Sequence, residues 1–412
     1  MNSELAKIID KILEFSERSL LKISQESLTE VRSLIAQYVD ILTTKFDANQ
    51  AKEVINKPEH PILHIAARFG DLEQLKKVLS FIASNSKEIK HYVNLRDDDF
   101  LMPIHYAAKN GWVDVVKFLL AQGSENNPKS GSGDREWTPI HYAARSGHLE
   151  IIKILLNNGV DKETKTSFGL TPLIVAAEFG HAAILKYLLD NGAKKDSTTI
   201  AENYCMNSLH YAAIGGFVDA VLVLIEAGID KEIKTTSGFN ALQFAVSSGQ
   251  EAVINLLLEK GANPEVVTNS GNDILHLATA KGRKESVLTV LKWGIGDVDL
   301  ALKVAKANSN KEIIQELERY KKAIKNIFSL KKLPDNFSKT IRSFNKQSLT
   351  QDLIKVEDGI SFNAYGILNL RKKTGIFNKE KLSLAQVANK NDNEALFDDL
   401  GFLEKTIGLY KS

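Results

Sequence analysis

Nine histidines and one cysteine are the side chains in this 412-residue chain best suited to chemistry. Imidazole moves protons near neutral pH and ligates zinc, and a thiol beside an imidazole becomes a nucleophile. The spacing points elsewhere. His64, His105, His141, His210 and His276 stand 41, 36, 69 and 66 residues apart, unlike the close pairs of a zinc site. His148 and His181 repeat one another at 33 residues. His60 and His91 have no partner set at metal-ligand spacing. The histidine nearest Cys205 is His210, a member of the long-period series. Ser130-Gly-Ser-Gly133 lacks the downstream Lys-Ser/Thr that would cradle a phosphate. Residues that recur at such intervals belong to a repeated structural unit. No catalytic, cofactor-binding or metal-binding residue is expected.

The unit itself is legible. Pro-Ile-His-Tyr-Ala-Ala occurs at Pro103 to Ala108 and again at Pro139 to Ala144. Aligned on the histidine, degraded copies add Ile174 and Gln243, and the steps become 41, 36, 33, 36, 33 and 33. Three residues after that position an Ala or a near-substitute recurs, as at Ala108, Ala144 and Ala177. Three further on stands a glycine in every copy: Gly70, Gly111, Gly147, Gly180, Gly216, Gly249 and Gly282. A second glycine closes most units, as at Gly123, Gly159 and Gly192.

These spacings predict a pair of helices per unit. Thr138-Pro139 opens the first, with a hydroxyl placed to cap and a proline in the first turn. Paired alanines admit a close neighbour. The middle glycine ends this helix in a left-handed residue. Ile151-Ile152-Lys153-Ile154-Leu155-Leu156 then reads as a second, longer helix. One such pair cannot bury its apolar face alone, so units must stack.

The segment Thr138 to Gly159 resembles a near-consensus ankyrin repeat, and the resemblance covers residues 57–319. It implies an all-α ankyrin-repeat solenoid of seven repeats, with Asp299 to Leu317 as a degenerate C-terminal cap. It also implies that the series histidines brace neighbouring loops through backbone hydrogen bonds. His148 and His181 hold a family position at the start of the second helices. The loops should project as hairpin fingers, with the first helices lining a concave groove. Function in this family is protein binding.

Residues 1–56 read as an N-terminal helical cap of two amphipathic helices, the second signalled by Ser27 with Glu30. Residues 320–412 read as a basic linker, a small helical module and an acidic tail. Between Arg319 and Lys346, nine basic residues face one acid, Asp335. The excess lengths of repeats one, two and four are assigned to loops near Ser84 to Asp98, Ser124 to Glu136 and Lys194 to Tyr204. A formal net charge of +2 does not direct the whole chain to nucleic acid. One cysteine allows no internal disulfide, and Met-Asn-Ser-Glu-Leu-Ala-Lys does not open a secretory signal. No apolar run is long enough to span a membrane. A cytoplasmic protein is expected.

The residue before each motif threonine falls on a finger. Leu101, Trp137, Leu170, Met206 and Phe239 form an apolar series there, ending at Asn272. Read as surface it is a binding stripe; read as packing, each side chain lies on the neighbouring finger. Just before the middle glycines, Arg68, Lys109 and Arg145 give a basic groove, followed by Glu178-Phe179 and Ile214. That order suits a protein partner with an acidic segment over repeats one to three. The tail, Asp392 to Ser412, resembles the C-terminal translocation signals of ankyrin effectors of intracellular bacteria. That resemblance implies delivery into a host cell without a Sec signal. The reading is therefore a non-catalytic adaptor for a protein, with no small-molecule substrate. Two rivals stay open: an enzyme in 320–412 using acids such as Asp352, Glu357 and Asp358, and a tether to anionic lipid or nucleic acid through 319–346.

Overall fold

The structure is a computed structural model that describes residues 3–16, 24–56, 61–83, 86–131, 135–200, 205–328, 354–356 and 360–362. Twenty helices and one pair of short strands form among these residues. The architecture is the all-α ankyrin-repeat solenoid. Inner helices are Ile62–Phe69, Pro103–Asn110, Pro139–Ser146, Pro172–Glu178, Ser208–Gly215, Ala241–Ser248, Ile274–Ala280 and Val298–Ala307. Outer helices are Leu72–Ile82, Val113–Ala121, Leu149–Asn157, Ala182–Asp190, Val218–Glu226, Glu251–Glu259, Lys284–Lys292 and Lys311–Phe328.

The chain divides into two compact units. The first holds Met1–Ala212 with Leu222–Ile229, and the second holds Ala213–Val221 with the residues from Asp230 onward. In the first, each inner helix packs on the next, from Ile62–Phe69 to Pro172–Glu178. The contact surface is small side chains: Ala107, Ala108, Ala143, Ala144, Ala176 and Ala177 are all fully buried. In the second, Ala241–Ser248, Ile274–Ala280 and Val298–Ala307 follow one another in the same way, and Lys311–Phe328 packs on the last of them.

Repeats are also tied by the side chain that opens each outer helix. An inner helix ends with carbonyls that have no partner in their own helix. Trp112 donates its indole N–H to the Arg68 carbonyl at 2.8 Å. His148 Nε2 donates to the Lys109 carbonyl at 3.2 Å, and His181 Nε2 to the Arg145 carbonyl at 2.8 Å. In the second unit Gln250 reaches the Ile214 carbonyl at 3.0 Å. Each of these side chains lies close against the middle glycine of the preceding repeat. At Gly147, where φ is +83°, an added Cβ would sit 2.8 Å from His181 Cε1. Gly147→Ala therefore combines left-handed strain with displacement of this brace, and is expected to cost about 1–3 kcal/mol. Urea unfolding measures it; an unchanged midpoint would remove the ring from that position.

Several boundaries differ from the sequence reading. Residues 3–56 contain three helices, Ser3–Ser16, Gln25–Lys45 and Ala48–Ile55. The second is capped by Ser24, whose Oγ accepts from the Ser27 amide at 3.1 Å, one turn before the Ser27–Glu30 signal. The third opens on a capping box of Asp47 and Gln50. Gln25–Lys45 packs on the first repeat, and Arg32 donates to the carbonyls of Phe69 and Gly70. The excess of repeat one is a helix, Ser86–Val93, rather than a loop. Tyr92 and Val93 bury its inner side.

At the other end, Lys311–Phe328 runs nine residues past 319 and takes up the first part of the basic run. Lys321 on it pairs with Asp299. Beyond Phe328 the described residues are two antiparallel strands, Ile354–Val356 and Ile360–Phe362, with Val356 opposite Ile360. A helical module was expected there. The alternating apolar residues around Asp358-Gly359 carry a hairpin signal that accounts for the difference. His60, Lys331 to Lys346, Asp352, Glu357, Asp358 and the acidic tail lie outside the described residues.

Candidate functional site

The histidine series is structural in the first unit. His105 Nδ1 accepts from the Met102 amide at 2.9 Å, and its Nε2 donates to the Pro128 carbonyl at 2.9 Å. His141 Nε2 donates to the Thr164 and Leu170 carbonyls at 3.1 and 3.0 Å. Its Nδ1 takes the Thr138 hydroxyl at 2.9 Å, so that hydroxyl serves the ring rather than capping the helix. His64 Nε2 faces the carbonyls of Leu95 and Leu101. Burial pushes all three imidazoles down, His105 and His141 to about 4. Each ring is therefore a neutral strut fastening a finger to the helix beneath it. Gln243 makes the same pair of bonds in the second unit, from the Asn240 amide and to the Val266 carbonyl. His276 departs from the pattern: its Nδ1 is buried without a partner.

Cys205 is half-buried at a finger tip with φ +53°, in the left-handed place that Gly169 and Gly238 fill in other repeats. His91 is exposed, edge-on to Tyr92. Among the described residues no three His, Cys, Asp or Glu side chains stand close enough to hold a metal. No helix among them is long and apolar enough to cross a membrane.

The fingers are closed hairpins. At their bases Ser130 N donates to the Trp137 carbonyl, Thr166 N to Leu170 and Thr199 N to Met206. Neighbouring fingers are joined by Gly131 N to the Asp99 carbonyl, Ser167 N to Arg135 and Ile200 N to Phe168. This geometry corrects the apolar stripe. Leu101, Trp137, Leu170 and Met206 are only 8, 4, 3 and 8% exposed. Phe239 is half-buried, 5.3 Å from the Phe244 ring. Each follows the left-handed tip residue and turns back toward its helix. Trp137 lies 6.0 Å from the His141 ring and 5.5 Å from that of Tyr142. The series is packing. Among the described residues, the large apolar side chains that do reach solvent on fingers are Phe100, Ile200 and Val267, which no frame position announced.

The basic series is exposed or half-buried. Arg68 lies over Tyr106 at 5.8 Å, Lys109 over Tyr142 at 5.8 Å and Arg145 over Phe179 at 5.2 Å. Each cation rests on an aromatic ring of the next repeat. Arg145 also faces Trp137 at 5.6 Å. Phe69, beside Arg68, is fully buried and does not face the groove. Glu178 is half-buried; burial raises its carboxyl pKa, and the charges of Arg135 and Arg145 act against that. Arg135, which the frame did not single out, lies over Phe168 at 5.1 Å. A reader of the sequence could find it only as an arginine beside an insertion.

Known proteins place this architecture. The family described as "Ankyrin repeats (3 copies)" matches residues 63–166, 158–235 and 209–303, together more than half of the chain. A Caenorhabditis elegans protein, "Transient receptor potential cation channel subfamily A member 1 homolog", is 37% identical over 73 residues. That stretch is 18% of this chain and 6% of the relative. Human "Ankyrin repeat domain-containing protein 7" is 44% identical over 61 residues, 15% of this chain and 21% of the relative. The chain thus spans a small part of the length of either. The stacked helix pairs, the finger hairpins and the matched residues together make this chain a member of the ankyrin repeat family.

Proposed function

We propose that the chain is a non-catalytic interaction scaffold whose groove, over repeats one to three, takes an acidic segment of a protein partner. The observation that carries this reading is the row Arg68, Lys109 and Arg145. Three successive repeats present a cation at one helical position, each held on a ring. A frame position that must pack keeps one residue class; this one changes to Glu178 in repeat four. The finer reading is an effector-like adaptor, delivered into a host cell through residues 392–412.

Charge complementarity acts mainly on association rate and partner choice. Arg68→Gln with Lys109→Glu is expected to weaken capture of the partner at least about tenfold, roughly 1.4 kcal/mol. Added salt should slow association of the parent much more than of this variant. Calorimetry and stopped-flow mixing with a partner purified from lysate measure both. Equal affinity and equal salt dependence would move the interface off the groove. For the delivery reading, a reporter fused to the whole chain should be transferred and one lacking residues 392–412 should not.

A further inference from the structure

Arg135, Arg145 and Glu178 are three charged groups in the first unit that the fold does not commit. Among the described residues neither guanidinium has a hydrogen-bond acceptor or an ion-pair partner, and Glu178 accepts no hydrogen bond. Other arginines of the first unit are spent on the fold. Arg32 donates to the Phe69 and Gly70 carbonyls, and Arg96 to those of Phe100 and Lys129. Arg135 and Arg145 are instead fixed only through their faces. Arg135 lies over Phe168 at 5.1 Å, and Arg145 between Trp137 at 5.6 Å and Phe179 at 5.2 Å. Stacking leaves the N–H edges of a guanidinium open, and the fork of donors at that edge matches a carboxylate or a phosphate.

The two groups share one locality: Arg145 lies over Trp137, two residues from Arg135 on the same finger, and over Phe179, next to Glu178, and both charges act on the Glu178 carboxyl. Arg135 is on the second finger, and Arg145 ends the inner helix below it. Tyr211, whose hydroxyl is also affected by Glu178 and Arg135, adds a polar group and is tied to Thr199. A structural network would have closed these charges on one another within 4 Å. Here two cations act on a lone half-buried acid, which offsets one of their two charges while the site is empty. Holding a side chain in its bound geometry beforehand removes part of the ordering cost of binding.

We infer that Arg135 and Arg145 form a two-arginine clamp for one oxyanion of the partner's acidic segment, a carboxylate or a phosphorylated side chain, with Glu178 as the internal charge it displaces. The clamp rests on the groove reading above and assigns its anchoring point. Glu178 reports the sign of the ligand's charge. Taking away an acid from a basic surface or from a clamp favours an anion, whereas taking it from a site for a cation disfavours the ligand.

Fluorescence anisotropy with a fluorescein-labelled oligoglutamate peptide tests it, using the full chain. Arg135→Gln and Arg145→Gln are each expected to weaken binding about tenfold. Arg145→Lys should lose nearly as much, because an ammonium keeps the charge without the fork. Glu178→Gln should tighten binding several-fold. The same peptide carrying phosphoserine in place of one glutamate separates the two sources of oxyanion. Tighter binding of it that Arg145→Lys abolishes assigns phosphate, and equal binding assigns carboxylate. Thermal melts of the variants must match the parent. Weaker binding in Glu178→Gln overturns the clamp, as does peptide binding that ignores both arginines, or no peptide binding by the parent. Displacement of the peptide by oligoadenylate at lower concentration than by unlabelled oligoglutamate also overturns it. If Arg68→Gln with Lys109→Glu weakens capture while the Arg135 and Arg145 variants do not, the groove reading stands and the clamp alone fails.

Discussion

Acidification from about pH 7.5 to about pH 5 is expected to remove about 4 kcal/mol of stability through His105 and His141. In the folded protein both rings titrate at about 4, chiefly because burial disfavours the imidazolium. The unfolded value is about 6.5. Below that pH the unfolded chain takes up protons that the folded protein refuses. The stabilisation is therefore complete above about pH 6.5, declines as pH falls, and is fully lost below about pH 4. At about pH 5 each ring contributes a loss of about 2 kcal/mol. Geometry gives the same sign. Protonated Nδ1 of His105 would point a hydrogen at the Met102 amide hydrogen. His64 is shifted in the same direction; Asp71 and Glu178, both raised by burial, offset part of the loss. The control is already in the chain, because Gln243 makes both bonds of the brace with a group that does not titrate. His105→Gln with His141→Gln should fold at about pH 7.5 and lose little between there and about pH 5. Urea unfolding followed by tryptophan fluorescence reads it. Parallel losses in parent and variant would assign the acid sensitivity to other groups.

The same comparison shows what the sequence made legible. Landmarks fixed by backbone need were readable: Gly147 is left-handed, Pro139 opens its helix, and Ala144 and Ala177 are fully buried. The histidine braces were implied by resemblance, and Gln243 keeps the brace because it carries an acceptor and a donor on one side chain, whereas Ile174 at the same position carries neither. The length excess of repeat one was visible as a number but not as a helix. Its residues Ile89, Tyr92 and Val93 have helical spacing over only eight residues, too few for periodicity to distinguish from a loop. The third N-terminal helix was missed although Asp47 and Gln50 carry its cap. The contact of Arg145 with Trp137 could not be read at all, because it depends on a finger folding back over an inner helix. The charge row was legible for the opposite reason: a position free to vary is one the stack does not use.

Trp137→Ala carries the other large effect, and it reverses the expectation drawn from the stripe. A tryptophan on a finger, in series with four other apolar residues, looks like an interface anchor whose removal spares the fold. Its burial to 4% exposure and its contacts with His141, Tyr142 and Arg145 make it core. The recurrence was itself the signal. A binding surface has no reason to repeat at every unit, whereas a packing position must. Truncation should cost about 3–5 kcal/mol, the range for a buried aromatic replaced by alanine. Part of that cost is the strut, since His141 Nε2 would still need the Thr164 and Leu170 carbonyls while the wall beside its ring is gone. Trp137→Phe, which refills most of the space, should recover more than half of the loss. Urea unfolding by circular dichroism measures both variants without relying on the deleted fluorophore. A Trp137→Ala midpoint equal to the parent's would return this residue to the surface. With the expected loss, any binding defect in that variant follows from unfolding, so the partner must be mapped with Arg145→Gln, which touches the same ring from the solvent side.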